Sequence, residues 1–512
     1  MRKIFWGVFS FVVMLLMACQ EKDTHSNKDL TIEAFSAMKT PSFAINSQII
    51  RKHLYNIQRA DTGRMTVDRE IRSYYRHEQP FLWINRHGVD AQADSLVGWL
   101  EKVGETDINP AIYRVERIKK DLAKLRSLSL TDEEDINKVM ARLEFNLTRA
   151  YLRYACCQHF GYVNPNYTLN HCAVKDSDST HVTYYHVFDV EMSHPNVAYY
   201  QKAYGIVNHD SVGQFLNDIQ PSGKMYRQLV DYLRTKNPQG EQRQKVLCCI
   251  ERCRWQTTDS PEKHDKYVVV NIPAYRLYAY GEDSVLTMRV GCGKLDTRTP
   301  LIHSNIKRMD LNPKWFVPKS IAKGIVGRIG YLKKNNMYIH DKKEGKLPPE
   351  QASYSRIMEG KQFIVQEGGP GNSLGRIIFR FDNNHSVYLH YTNTPWVFQK
   401  SVRAVSHGCV RVEKPFDLAV FLLKKKDSDL IEKIRYSMEA DLNPNDNESD
   451  EKVVIDRDML VNSVAVEPEI PVFISYFTCY PTPDGELRYY KDVYGYDEAI
   501  WKELKYICFE RE

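Results

Sequence analysis

Through the first half of the chain, apolar positions recur every three or four residues, and this spacing predicts helices. In "AQADSLVGWLEKV" the side chains of Leu96, Val97, Leu100 and Val103 share one face. "TDEEDINKVMARLEFNLTRAYLRYA" opens with a capping box, Thr131 and Glu134, then carries Ile136, Val139, Met140, Leu143, Leu147, Tyr151 and Tyr154 at helical spacing. Faces of this kind pack a scaffold. After "IERCRW" the period changes. "YVVVNIPAYRLYAY" (267–280) and "VLTMRVGCG" (285–293) are β-rich, and Gly-Glu-Asp-Ser parts them as in a hairpin. "IIFRF" (377–381) and "VYLH" (387–390) add strands, and Pro415 opens a helix, "PFDLAVFLLKKK", with lysines at its end. Between these β segments, residues 322–375 are rich in Lys, Gly and Tyr, lack periodicity and end in "EGGPGNSLGR". That glycine run lacks the Lys-Ser/Thr of a phosphate loop and a following helix, so a mobile lid over a cleft suits it better. "EADLNPNDNESDE" (439–451) reads as a solvated linker, and "IPVFISYFTCY" (470–480) as a returning strand before a short terminal helix.

Composition adds little to the fold and more to the compartment. The 512 residues favour two or three domains, and 43% hydrophobic with 12% aromatic residues is globular. A net charge of +6, without a basic run that interleaves aromatics, predicts no nucleic-acid partner. At the N-terminus, Arg2 and Lys3 precede an apolar run from Ile4 to Met17, too short to span a membrane comfortably and of the right length for a signal segment. Leu16-Met17-Ala18-Cys19 resembles the bacterial lipoprotein signal, which implies lipidation of Cys19 and a membrane partner through that anchor. The alternative is a plain signal peptide with an incidental cysteine. The expectation is a periplasmic, lipid-anchored protein of the cell envelope, with the outer membrane preferred because Gln20 is not a retention aspartate.

The fold class that follows is α+β, a helical N-terminal scaffold joined to a mostly β domain with an inserted lid. Its parts are a signal segment at 1–19, a tether at 20–45, helices over 46–250, the β domain over 251–430 and a linker with a C-terminal return over 431–512. Of the 11 cysteines, Cys248, Cys249 and Cys253 in "CCIERC" lack a metal-binding spacing and read as small buried residues on a helix. No metal site and no cofactor is expected.

Cys409 is different. It sits in a polar Ser406-His407-Gly408-Cys409 turn, after a strand that ends in His390. A thiol attacks a carbonyl when a base takes its proton and donors hold the oxyanion. His390 is placed to be the base, the glycine lets backbone N–H groups converge, and Arg411 can lower the thiol pKa or hold an anionic part of the substrate. Read alone, one cysteine near two histidines leaves structural and metal-binding roles open.

"HYTNTPWVFQKSVRAVSHGCVRV" resembles the signature of the L,D-transpeptidases, the YkuD-type cysteine enzymes of bacterial cell walls. The blocks "MRVGCGKLDTRTP", "LNPKWFVPKSI", "GPGNSLGR" and, in the helical half, "EQPFLWINRHGVDAQADSLVGWL" resemble the large multi-domain class, so the likeness covers roughly residues 65–500. It implies Cys409 as nucleophile and His390 as base, with the Tyr391 carbonyl orienting the imidazole. Backbone donors at His407, Gly408 and Cys409 would form the oxyanion hole, supported by Ser406 and Arg411. The implied partners are peptidoglycan peptide stems. The implied reaction is acyl transfer from a tetrapeptide stem, with loss of D-alanine, to a side-chain amine of another stem, giving 3→3 cross-links. An L,D-carboxypeptidase using the same cysteine, or an inactive wall-binding lipoprotein, are the alternatives. Tyr391-Thr392-Asn393 departs from the Gly/Asp-Thr-Pro that often follows the histidine, and a bulky Tyr391 is expected to narrow the acceptor side. No clear peptidoglycan-binding module is legible in 160–245.

Overall fold

The computed structural model describes residues 44–85, 87–172, 174–175, 182–183, 186–440 and 455–509. Cys19, the signal segment, nearly all of the tether and most of the 439–451 linker lie outside these residues.

The helical half is built on one long helix. Helices α1 (Ser47–Ala60), α2 (Thr66–Arg76), α3 (Gln92–Glu101) and α4 (Val115–Arg126) pack around α5 (Ile136–Phe160), as does α6 (Gly240–Arg254). Enclosed on nearly every side, α5 buries polar as well as apolar positions, Glu144 and Thr148 among them. Leu96, Val97, Leu100 and Val103 are all buried, although Val103 lies in the 3-10 turn after α3. The capping box is displaced. Asp135 caps α5 by accepting from the N–H groups of Asn137 and Lys138, and it directly abuts the apolar run. Thr131 and Glu134 instead bond each other one turn earlier, and Glu134 pairs with Arg142 and Lys124.

The β half forms a pairing circuit that closes on itself. Its strands are β2 (Tyr267–Asn271), β3 (Arg276–Tyr280), β4 (Val285–Gly293), β5 (Leu301–Leu311), β10 (Ile377–Phe381), β11 (Leu389–His390), β13 (Val410–Val412) and β14 (Ser463–Ser475). Around the circuit the order is β5-β10-β11-β13-β4-β3-β2-β14 and back to β5. Two contacts are parallel, β11 with β13 and β2 with β14; the rest are antiparallel. An outer strand, β1 (Phe188–Asp189), adds parallel to β5, and β12 (Ala404–Ser406) pairs with β4. Val268, Val270, Leu277, Met288, Phe379, Leu389 and Val410 share the main core, while Val269, Tyr278 and Phe473 pack on the opposite face. Burial of both faces explains the continuous apolar runs in β2 and β14.

Three elements depart from their sequence reading. "YVVVNIPAYRLYAY" is two strands, because Pro273 cannot extend a ladder and Tyr275 takes φ +49°, which makes β2, β3 and β4 a three-stranded meander. The helix at Pro415–Leu422 (α7) stops short of its lysines, which follow it. The stretch read as an aperiodic lid is a packed subdomain. Between β5 and β10 it carries a sheet in the order β6 (Trp315–Phe316), β9 (Gln362–Gln366), β7 (Met337–Asp341), β8 (Gly345–Leu347), with short helices around a core of Val317, Ala322, Leu332, Met337, Ile339, Ile357 and Ile364. Its strands and helices are only two to seven residues long, too short for a period to emerge from the sequence.

The two halves share one apolar core. Helix α8 (Tyr496–Cys508) returns to pack on α6, where Arg252 and Asp497 form a buried ion pair at 2.6 Å. All ten cysteines among the described residues are free, and Cys248 and Cys249 are fully buried on α6. Among the described residues no helix is long and apolar enough to cross a membrane.

Candidate active site

Strands β11 and β13 run side by side and parallel, with Leu389 opposite Val410 and His390 opposite Arg411. Side chains alternate across a strand, so the two fully buried residues, Leu389 and Val410, point into the core. Tyr388, His390, Cys409 and Arg411 therefore project together from the other face. The backbone holds this register, because the N–H of Val410 donates to the carbonyl of Tyr388 at 3.1 Å. His390 and Cys409 are diagonal neighbours across this parallel pair. The thiol donates to the Ser386 carbonyl at 3.9 Å and faces the Tyr388 hydroxyl instead of bonding the imidazole.

The turn that carries Cys409 is tied at each peptide. Ser406 Oγ donates to the Cys409 carbonyl at 2.6 Å and accepts the Gly408 N–H at 3.1 Å. Gly408 has φ +119°, a conformation that only glycine adopts without strain. Its carbonyl accepts from Thr299 Oγ1 at 2.7 Å, and the same hydroxyl accepts the Gly293 N–H at 2.8 Å. Tyr494 closes the network, donating to the Gly293 carbonyl at 2.7 Å and accepting from the Thr299 N–H at 3.2 Å. The Gly408 N–H is thus engaged within the turn. The N–H groups of His407 and Cys409 have no acceptor among the described residues and are the donors available to an oxyanion.

Burial decides the charge state. It pushes the Cys409 thiol up to about 11, although Tyr388 and the Arg411 cation pull the other way. Burial, and then Arg411, bring the His390 imidazole down to about 4, against the pull of the Tyr391 and Leu374 carbonyls toward a charged ring. At neutral pH the thiol and the imidazole are both uncharged, and Arg411 does not bring the thiol below its ordinary value as the sequence reading allowed. Arg411 Nη1 donates to Thr394 Oγ1 at 3.3 Å and its buried Nε has no hydrogen-bond partner, which leaves the cation poised toward a ligand. His407 is exposed, and its pKa is lowered by partial burial and by Lys294.

Two sequence readings change in detail. His390 Nδ1 is buried without a hydrogen-bond partner among the described residues, while the Tyr391 and Leu374 carbonyls lie near the ring. Tyr391 packs half-buried against the main core. At the end of the glycine run a side chain is excluded by sterics, since a Cβ on Gly375 (φ +66°) would sit 2.6 Å from the Thr392 backbone nitrogen. It is a close backbone crossing behind His390. Tyr388, Thr299, Tyr494 and Ser386 went unremarked in the sequence. Tyr388 alone had a signal there, as the residue two before His390 on one strand face. Trp315 of the inserted subdomain also reaches the Tyr388 hydroxyl, and Arg380 lies 5.7 Å over its ring.

Residues 265–440 match the family model of the L,D-transpeptidase catalytic domain, and residues 69–233 match one described as a scaffold domain. A Haemophilus influenzae protein whose name assigns it provisionally to the L,D-transpeptidases is 26% identical over 315 residues. That alignment spans 60% of this chain and 59% of the relative.

Proposed function

The chain belongs to the L,D-transpeptidases through its catalytic and scaffold domains, and from that premise we propose that Cys409 carries acyl groups between peptidoglycan peptide stems. The observation that supports this reading is the parallel register of β11 and β13, which brings the Cys409 thiol, the His390 imidazole and the Arg411 guanidinium to one face. The Cys409 thiol attacks the L-centre carbonyl of a tetrapeptide stem while its proton passes to His390. The oxyanion forms against the His407 and Cys409 N–H groups. His390 then gives the proton to the departing D-alanine amine, and a thioester remains. A side-chain amine of a second stem attacks that thioester, His390 takes its proton, and the thiol is restored with a 3→3 cross-link formed.

Because both groups start neutral, proton transfer accompanies attack and no thiolate waits in the free enzyme. Arg411, carrying an unpartnered Nε, suits a carboxylate of the donor stem. A cleft of about 1230 Å³ lined by Lys307, Arg308, Arg380, Ser386 and Tyr388 has room for a peptide, and Ser386 and Tyr388 connect it to the thiol, which does not itself line it.

Incubation with a tetrapeptide muropeptide tests the reading. Dimers should form with one D-alanine released per cross-link. Shortened monomers alone would make the enzyme an L,D-carboxypeptidase, and unchanged substrate would make it an inert binder. We also propose that Cys19 bears a lipid that holds the chain in the cell envelope, on the outer membrane by preference. Mass analysis of the mature N-terminal peptide should find a diacylglyceryl cysteine; an unmodified Cys19 would refute the anchor.

A further inference from the structure

We propose that His186, Asp189 and His385 bind one divalent transition-metal ion of the zinc class at the cleft beside Cys409. The cysteine spacing gave no hint of a metal, and these three residues come from two segments that only the fold brings together. One ligand atom from each lies within 4.8 Å of the others. A tetrahedral ion with bonds of 2.0–2.1 Å needs its ligand atoms about 3.3 Å apart, so closure requires at most about 1.5 Å of movement. His186 can supply it, because it is exposed.

The other two ligands are already held. Asp189 stands on β1, where it pairs with Ile302 of β5, and Asn384 Nδ2 donates to its Oδ2 at 3.1 Å. An outer partner of this kind is what orients a ligating carboxylate. His385 Nε2 faces the same Oδ2 at 3.2 Å but is not aligned for a hydrogen bond. The two imidazoles are nearly parallel, 15° apart with centroids separated by 5.7 Å. An ion pair between His385 and Asp189 would not need a second imidazole beside it, whereas two imidazoles, a carboxylate and an open fourth position make a zinc site. The nearby cations do not oppose this, since Lys307 pairs with Asp382 and Arg380 with Asp310.

The site joins β1 to the turn that enters the catalytic strand. Asn383 Oδ1 accepts the N–H groups of His385 and Val387 at 3.0 Å each, which fixes that turn's shape. Next in the turn, Ser386 has φ +55° and offers its carbonyl to the Cys409 thiol. A bound ion holds this carbonyl in place and so has a positioning role.

The test uses the full chain with Cys409→Ala, so that the thiol cannot be a ligand, and zinc chloride alone in equilibrium dialysis. One zinc per chain with micromolar or tighter affinity is expected. His186→Ala and His385→Ala should each weaken binding at least ~10-fold, since loss of even an outer partner costs that much. Cobalt(II) should give the visible absorption of a tetrahedral site without a thiolate charge-transfer band. Unchanged thermal unfolding of His186→Ala in metal-free buffer separates lost binding from lost fold. Absence of stoichiometric zinc, binding that survives both substitutions, or a thiolate band would overturn the proposal.

Discussion

Thr299→Val tests whether the turn around Cys409 is held from outside. The side chain is fully buried, and its hydroxyl bridges the Gly293 N–H and the Gly408 carbonyl at 2.8 and 2.7 Å. Valine keeps the shape and strands both groups in the interior. Each stranded group costs about 1–3 kcal/mol, so unfolding stability should fall by about 2–6 kcal/mol if nothing relaxes. Relaxation is available, because Gly408 can turn its peptide and release the carbonyl. That movement shifts the neighbouring Cys409 N–H, and loss of one oxyanion donor lowers rates by about 10²–10³-fold. Thr299→Val is therefore expected to acylate about 10²-fold more slowly while remaining folded. Thr299→Ser keeps the hydroxyl and should stay within a few-fold of wild type. Quenched-flow mass spectrometry of the acyl-enzyme gives the rates, and denaturant unfolding gives the stability. A folded Thr299→Val protein with wild-type acylation, or a Thr299→Ser protein equally slow, would refute the bridge.

Further expectations follow from the same geometry. With His390 titrating at about 4 and Cys409 at about 11, kcat/KM for acylation should be flat from about pH 5 to 10; limbs at their ordinary values of 6.5 and 9.0 would contradict the assigned burial. The neutral, buried His390 also makes the fold acid-sensitive, since its contribution is complete above pH 6.5 and lost as pH falls through 4. The difference is about 3 kcal/mol, which denaturant titrations at pH 7 and 4 would detect after comparison with His390→Ala. Tyr388→Phe removes the hydroxyl beside the thiol and should slow acylation about 10–100-fold, the value of one hydrogen bond to a charged sulfur; an unchanged rate would make Tyr388 a packing residue only. Gly375→Ala should destabilise the fold by several kcal/mol, because its Cβ meets the backbone behind His390, and an unchanged Tm would show that the crossing can yield.

The residues of the candidate site were more legible in the sequence than the architecture that holds them. His390, Ser406, Gly408, Cys409 and Arg411 could be named because a strand end and a tight turn are local patterns, and alternation alone puts Cys409 and Arg411 on one face. Thr299 and Tyr494 could not. Their hydroxyls meet the turn only through the closed pairing of distant strands, and nothing local marks a buried threonine as a bridge. The elements of the inserted subdomain were hidden for a similar reason, since they are short and bury their side chains through cross-strand pairing. The neutral charge state of Cys409 and His390 was also hidden. The sign of each shift depends on burial, and Arg411 alone would have argued for a lowered thiol.

The most direct measurement is the site of acylation. Purified enzyme mixed with a tetrapeptide-stem muropeptide, quenched in acid and digested, should yield one peptide containing Cys409 heavier by the stem minus D-alanine. Cys409→Ala should yield none while keeping its fold. An adduct on another residue, or turnover by the Cys409→Ala protein, would contradict the account.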